Sequence, residues 1–234
     1  MLVSAVSKGG FGGGIGLLSV PLMSLVMPPA SAAAIILPLL LLMDAIGVWV
    51  YRRHWDRAAL VVMLPAAMLG IALGTAAFGL LSDDAVRLLL GIVSVLFAGN
   101  WLGGGTQRLQ PVRPRPWLGA LCGGLAGFTS TLAHAGGPPA TLYLLPLRLD
   151  KTVFVGTMTM LFAAINLAKL PPYLGLGLFS AEVLGMCAVM APLAALGMML
   201  GIWLHRRVAD SAFYRLCYAM VVIAGIKLVW DGIT

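Results

Sequence analysis

The chain has 234 residues, of which 61% are hydrophobic and only 10% are charged, whereas soluble domains carry about 25% charged residues to cover their surface. This composition excludes a soluble protein and predicts that most of the outer surface faces lipid. The net charge of +7 lies in short clusters of Lys and Arg between apolar runs, which is typical of cytoplasmic loops beside a membrane and not of a nucleic-acid-binding face.

Eight apolar segments follow one another along the chain, each bounded by charges or prolines. They cover residues 2–27, 31–50, 58–80, 85–103, 117–147, 153–174, 182–204 and 211–231. The Pro- and Arg-rich stretch 104–116 is the longest polar connection. It predicts a cytoplasmic linker between a first transmembrane repeat, residues 1–103, and a second, residues 117–234.

The first and fifth segments contain too much glycine and proline for ordinary straight helices. They read SKGGFGGGIGLLSVP and GGLAGFTSTLAHAGGPPA, and in a helix interior glycine costs about 1 kcal/mol and proline about 3 kcal/mol relative to alanine. In a membrane, a broken backbone is tolerated only where protein or a water-filled cavity satisfies its polar groups. These two segments are therefore the predicted functional centres.

The two halves resemble each other in sequence. The residues Gly10, Phe11 and Pro21 recur 117 positions later as Gly127, Phe128 and Pro138. The pair Gly70 and Gly74 recurs 127 positions later as Gly197 and Gly201. Each pair is a G-x-x-x-G motif, which lets helix backbones approach closely in lipid. The pattern predicts an internal repeat.

The basic loops predict how the two repeats are oriented. If all eight segments crossed the membrane, the basic loops of the two halves would lie on opposite sides, against the tendency of short basic loops to stay cytoplasmic. The conflict disappears if the first and fifth segments are re-entrant hairpins and both termini are external. The predicted fold is an all-α polytopic membrane protein of two inverted repeats, each a glycine-broken re-entrant hairpin plus three transmembrane helices. Such repeats are typical of secondary transporters.

The motifs at the head of each half resemble those of a known family. The first half opens with SKGGFGGGIGLLSVPL and MPPASAAAIILPLLLLMD, and the second contains GFTSTLAHAGGPPATLYLLPLRLDKTVFVGTMTMLFAAINLAKLPPY. Over nearly its whole length the chain is similar to the TauE/SafE sulfite exporter (four-toluene sulfonate uptake permease-like) family. The resemblance implies transport, often efflux, of small sulfur-containing or organic anions such as sulfite and sulfonates, across a bacterial-type cytoplasmic (inner) membrane.

Two departures from the family pattern leave the substrate open. The stretch 131–135, in which Thr131 and His134 are polar, replaces a run of glycines in the second copy, and the first copy carries Lys8. Glycines beside Lys8 let backbone N–H groups approach an anion, and the lysine supplies a formal charge. This predicts an anion site at Lys8, Gly9, Gly10, Gly12 and Gly13. The alternative is that Lys8 extends to the membrane interface.

The second broken segment offers neutral donors for the same site. We expect an oxyanion to contact the hydroxyl groups, the imidazole and the glycines there, namely Thr129, Ser130, Thr131, His134, Gly136 and Gly137. The alternative is that the hydroxyls bond back to helix carbonyls. Asn166 and Lys169 share one helical face and complete the predicted substrate-binding set. Asp44 is related to Asn166 by the repeat, and it either pairs with Lys169 or couples transport to protons.

The main hypothesis is a secondary transporter, an exporter of a small anion, whose site lies where the two hairpins meet. Two alternatives stay open: an intramembrane hydrolase using Ser130 with His134 four residues later on the same helical face, and a channel-like facilitator for another small anion. The transporter hypothesis predicts no enzyme activity, no cofactor and no metal site. The expected partners are the anion and the lipid bilayer, without nucleic acid, and a homodimer stays open.

Overall fold

In the computed structural model, the described residues are 1–13, 29–77 and 114–209, with scattered helical positions between 212 and 230. Regular structure in this part of the chain is entirely helical. The helices are α1 (Leu2–Phe11), α2 (Pro29–Tyr51), α3 (Arg57–Ala76), α4 (Pro116–Ala133), α5 (Gly137–Leu144), α6 (Lys151–Ala168), α7 (Leu170–Gly175) and α8 (Ala181–Arg207). The predicted segment 85–103 and most of the predicted linker lie outside the described residues.

Four stretches of these helices are long and apolar enough to cross a membrane. They are Ala32–Tyr51, Arg57–Ala76, Lys151–Gly175 and Ala181–Arg207, with mean hydropathy between 1.7 and 2.3. Large apolar side chains stand exposed on α3 and α8, for example Leu69 and Val189. Such a surface would be a liability in water but suits lipid. The predicted spans 31–50, 58–80, 153–174 and 182–204 are confirmed to within a few residues.

The glycine-rich segments are broken, as their composition predicts. Helix α1 ends at Gly12, whose φ of 73° is the left-handed conformation that glycine adopts without cost. In the fifth segment, α4 ends at His134, also left-handed with a φ of 51°, and α5 begins at Gly137. A straight helix over 117–147 is therefore absent, whereas residues 14–27 of the first segment lie outside the described part.

Two helix pairs approach closely through the predicted glycine motifs. In the α1–α8 pair, Gly197 and Gly201 lie against the backbone carbonyls of Leu2 and Val6. In the α3–α4 pair, Gly70 and Gly74 lie against the backbone carbonyls of α4, at Gly124 and Phe128. A β-carbon at any of these four glycines would crowd the opposing backbone, so both pairs depend on glycine.

Several basic residues lie at one end of the bundle, where the ends of three helices contact each other. The rings of Tyr51, at the end of α2, and His205, near the end of α8, have centroids 5.9 Å apart. His205 Nε2 lies 3.3 Å from Thr152 Oγ1 at the start of α6, and Lys151 Nζ donates to the Val208 carbonyl over 2.6 Å. This end of the bundle therefore holds three basic clusters, and we call it the basic end. The clusters are Arg52 with Arg53, Arg148 with Lys151, and Arg206 with Arg207.

Candidate functional site

A cavity of about 50 Å³ lies where α1 and α4 end between α2 and α6. Its volume is room for roughly three to five water molecules, which is the size of a small ion. The wall combines apolar side chains with a few polar ones. The polar members are Ser4, Lys8, Ser130, His134, Thr159 and Asn166, and the apolar members include Ile36, Leu40, Met43, Met158 and Phe162.

Lys8 reaches the cavity from the last turns of α1 and is 8% exposed. Its Nζ lies 2.8 Å from Asp44 Oδ1 and 5.7 Å from the centre of the Phe162 ring. The other carboxylate oxygen, Asp44 Oδ2, accepts a 2.7 Å hydrogen bond from Asn166 Nδ2. The contact with Lys8 is an ion pair by distance, although it is not aligned as a hydrogen bond. Lys8 therefore belongs to the cavity wall and not to the membrane interface.

Lys169 is fully buried behind the cavity, at the end of α6. Its Nζ donates to the Ser130 carbonyl over 3.1 Å and to Ser130 Oγ over 3.0 Å, and lies 3.0 Å from His134 Nδ1. These three partners match the three N–H donors of an ammonium group. The predicted pairing of Lys169 with Asp44 is wrong, because the carboxylate contacts Lys8 and Asn166 instead. Lys169 therefore bonds to the last turn of α4 and to its C-cap residue, His134.

His134 is placed by bonds to three other parts of the fold. If Lys169 is an ammonium it can only donate, so His134 Nδ1 accepts and its Nε2–H points to the Ala33 carbonyl at 3.2 Å. The hydroxyl of Tyr173 on α7 lies 3.4 Å from the same Nε2. The imidazole therefore connects α4 with α2 and α7 while also lining the cavity.

The predicted hydroxyl ligands divide into two groups. Ser130 lines the cavity. Thr129 Oγ1 donates to the Leu125 carbonyl over 2.7 Å, and Thr131 Oγ1 donates to the Gly127 carbonyl over 2.9 Å. These are the bonds back to the helix that the sequence left as the alternative.

The predicted glycine ligands divide in the same way. Gly12, Gly13 and Gly137 line the cavity. Gly9 and Gly10 instead face the backbone of α8, beside Met198 and Gly201, and Gly136 packs against the Ala126 carbonyl. These three lie at helix contacts, outside the cavity wall.

The geometry does not support the hydrolase alternative. Ser130 and His134 are one helical turn apart at the end of α4, where His134 N donates to the Ser130 carbonyl over 3.2 Å. The ammonium of Lys169 contacts both Ser130 Oγ and His134 Nδ1, so the histidine nitrogen that would serve as base faces a cation.

Three further side chains contribute to this site without having been predicted. Thr159 and Phe162 line the cavity from α6, and their spacing of seven and four residues before Asn166 puts them on its helical face. That spacing is a signal available in the sequence. Tyr173 donates its hydroxyl to the Thr131 carbonyl over 3.3 Å. Tyr51 makes a similar bond, donating its hydroxyl to the Gly9 carbonyl across the same separation of 42 residues.

Comparison with protein families gives one match over nearly the whole chain. The model of the family described as "Sulfite exporter TauE/SafE" matches residues 1–228. Comparison with curated proteins and with solved structures gives no match.

Proposed function

Because the chain belongs to the sulfite exporter TauE/SafE family, we propose that it is a secondary transporter that exports small sulfur-containing or organic anions such as sulfite or sulfonates. The observation that carries the proposal is the buried Lys8 in the wall of the cavity. Ionisable side chains inside a membrane protein are costly and usually serve a substrate or ion pathway. A cation beside neutral hydroxyl and imidazole groups suits an anion.

The proposed architecture is two inverted repeats, and equivalent residues of the two copies support it. The cavity wall contains four pairs separated by 122 positions: Lys8 with Ser130, Gly12 with His134, Ile36 with Met158 and Leu40 with Phe162. Asp44 and Asn166, which bond to each other, are also 122 positions apart. This separation lies between the 117 and 127 positions that separate the glycine motifs of the two halves. The contacts favour a site on the axis relating the two copies.

The proposed re-entrant hairpin is supported by the basic end of the bundle. With eight full crossings, the Arg52–Arg53 cluster and the Arg206–Arg207 cluster would lie on opposite sides, whereas the Tyr51–His205 contact joins them. The two legs of the fifth segment also run side by side, since Gly119 packs against the ring of Tyr143. We therefore retain the prediction of a cytoplasmic basic end, external termini and an inner-membrane location.

An inside-negative membrane potential favours outward movement of an anion by about 2.3 kcal/mol per charge per 100 mV. We propose that one repeat rocks against the other to expose the cavity alternately to the two sides. The assignment of Asp44 to proton coupling stays a prediction.

Efflux from proteoliposomes loaded with sulfite, thiosulfate or sulfoacetate tests the proposal. We expect the protein to accelerate efflux of at least one anion, and Lys8→Met to lower the initial rate about tenfold or more, because the substitution removes the only charged side chain in the cavity wall among the described residues. Arg53→Gln is the matched control, since Arg53 is exposed at the basic end. Absence of efflux for all three anions would contradict the proposed function.

A further inference from the structure

Two side chains in the cavity wall carry an oxygen that has no hydrogen-bond partner among the described residues. These oxygens are Thr159 Oγ1 and Asn166 Oδ1. Thr159 is 3% exposed and Asn166 is 1% exposed, so neither side chain has access to bulk water. Buried polar groups are nearly always paired. Two unpaired ones in the wall of one cavity indicate that a ligand completes the pairing.

The orientation of the Asn166 amide decides what the ligand must supply. A carboxylate only accepts hydrogen bonds, so the atom of Asn166 that lies 2.7 Å from Asp44 Oδ2 is the Nδ2 donor. The unpaired atom is therefore the carbonyl oxygen, which can only accept. A fully deprotonated oxyanion has no hydrogen to give to this oxygen.

The charges around the cavity limit the charge of the ligand. Lys8 contributes one positive charge, and the Asp44 carboxylate 2.8 Å away offsets it. Lys169 lies behind the wall, with neutral partners at its three N–H positions. The net charge of these three side chains is thus no more than +1. A doubly charged anion would leave an uncompensated negative charge in a low-dielectric site, which is strongly unfavourable.

We infer that the site takes a singly charged oxyanion that retains one O–H group, and that it discriminates against doubly charged oxyanions and against those without an O–H group. The O–H donates to Asn166 Oδ1, and the charged oxygens face Lys8 and the hydroxyl of Thr159. For a sulfur substrate this is hydrogen sulfite in its O–H form. The inference rests on the proposed function and specifies which form of the anion the cavity takes.

Competition against labelled sulfite in proteoliposomes tests the inference with three anions. Hydrogen phosphite, at mildly acidic pH, is singly charged and has an O–H group. Chlorate is singly charged and pyramidal but lacks an O–H group, and sulfate is doubly charged. We expect hydrogen phosphite to compete at a concentration about tenfold or more below that of either other anion, because a site built for a hydroxyl rejects analogues without one. Equal competition by chlorate or sulfate would overturn the inference.

A change of pH tests the charge limit with its own control. Above the second pKa of phosphite, competition by phosphite should weaken about tenfold per pH unit as the dianion forms. Chlorate does not titrate, so any change in its competition reports the ionisation of the labelled sulfite and the protein side chains that face the site, namely Lys8, Asp44, His134, Lys169 and Tyr173. Both contributions cancel in the ratio of phosphite competition to chlorate competition. Parallel pH profiles for phosphite and chlorate would overturn the inference.

A variant tests the role of Asn166 directly. Asn166→Leu removes the unpaired acceptor, and we expect the preference for hydrogen phosphite over chlorate to fall to within about threefold. Thr75→Val is the matched control, because the Thr75 hydroxyl bonds to the Ile71 carbonyl of its own helix, away from the cavity. An unchanged preference in Asn166→Leu would contradict the assignment, and the wild-type competition series decides the inference if this variant does not fold.

If sulfite itself does not move, the proposed function fails as well. If sulfite moves without discrimination among the competitors, only the inference fails.

Discussion

The two buried lysines of this protein have different kinds of partner. Lys169 has three neutral partners within 3.1 Å, two of them on Ser130 and one on His134. Lys8 has a single carboxylate, Asp44, on one side and the cavity on the other. An anion in the cavity competes for Lys8 but has no access to the donors of Lys169. In the proposed site, Lys8 therefore binds the anion and Lys169 positions the end of α4.

Replacing Lys169 tests its positioning role. In Lys169→Met, Ser130 and His134 lose the group that pairs them, and leaving buried polar groups unpaired costs about 1–3 kcal/mol. We expect a lower midpoint of thermal unfolding in detergent, together with weaker anion binding. Arg53→Gln serves as the control, since its side chain is exposed. An unchanged midpoint would show that the Ser130–Lys169–His134 contacts do not stabilise the end of α4.

Replacing Asp44 tests the charge balance of the site. Asp44→Asn keeps the shape of the side chain but removes the negative charge 2.8 Å from Lys8. Because the site then gains one net positive charge, we expect sulfate to compete about tenfold more strongly relative to hydrogen phosphite than in the wild type. The measurement is the ratio of half-inhibitory concentrations in proteoliposomes. A ratio that stays the same would contradict the charge count.

At the scale of elements, two glycines of α8 differ in their surroundings. Gly201 lies against the α1 backbone, where an added β-carbon would lie 3.0 Å from Gly10 N and closer still to the Val6 carbonyl. Gly185, on the same helix, has no atom within 4 Å of such a β-carbon. Glycine is required by packing at the first position and not at the second.

This difference predicts opposite effects for the same substitution. Gly201→Ala should destabilise the protein by about 1–3 kcal/mol, because the methyl group forces α1 and α8 apart. Gly185→Ala should leave stability unchanged or raise it by up to about 1 kcal/mol, because alanine favours the helix. Thermal unfolding of both variants in detergent measures the difference. Equal effects would mean that the close approach of α1 and α8 does not contribute to stability.

The start of α6 carries a pH-dependent cap at the basic end. Asp150 Oδ1 accepts from Thr152 N over 2.8 Å and from Val153 N over 3.4 Å, and these backbone bonds, the first above all, lower the pKa of the Asp150 carboxyl. A lowered pKa means that the carboxylate stabilises the fold above its unfolded value, about 3.9, and that the stabilisation is lost as the pH falls through the folded value.

The pH dependence of an Asp150→Ala variant follows from this cap. At neutral pH we expect a loss of about 0.5–2 kcal/mol relative to the wild type, and at a pH below the folded pKa a smaller difference. Ser180→Ala is the control, since Ser180 caps α8 through a neutral hydroxyl that accepts from Val183 N over 3.2 Å. Its effect should not change with pH in the same range. A pH-independent loss in Asp150→Ala would contradict the role of the carboxylate.

At the scale of the whole molecule, the basic end and the cavity follow from the same arrangement of helices. Basic residues from both halves lie at one end, while α1 and α4 end inside the bundle at the cavity. If each half crosses the membrane three times, as proposed, the basic loops of both halves lie on the same side of the membrane. Exposed apolar faces on α3 and α8 surround this arrangement and face lipid.

The proposed topology predicts which parts of the protein are accessible from each side. Single cysteines introduced at Arg53 and at Arg207 should react with a membrane-impermeant thiol reagent only from the cytoplasmic side. A reporter fused to either terminus should be active only outside the cytoplasm. The three native cysteines, at positions 122, 187 and 217, are buried, and the unsubstituted protein provides the background measurement. Labelling of positions 53 and 207 from opposite sides would contradict the re-entrant arrangement.

Local composition determined several features of this protein by itself. Four membrane-capable stretches appear at the predicted segments, because a run of apolar residues has one low-energy environment wherever it occurs. The breaks at Gly12 and His134 follow glycine- and proline-rich sequence, because backbone preferences act over a few residues. Lys8, Ser130, His134 and Asn166 were likewise identified as polar residues within apolar segments.

The tertiary structure alone decided which of these residues share the cavity and with which partners. Lys8 pairs with Asp44 and Lys169 with Ser130, whereas Gly9 and Gly10 pack against α8. The partners of Lys8, Lys169 and Asp44 are 35 to 122 positions away in the chain, from the Lys169–His134 contact to the Asp44–Asn166 hydrogen bond. A buried polar group is satisfied by whatever side chain the packing of other helices brings within about 3 Å, and no local period in the sequence encodes that distance.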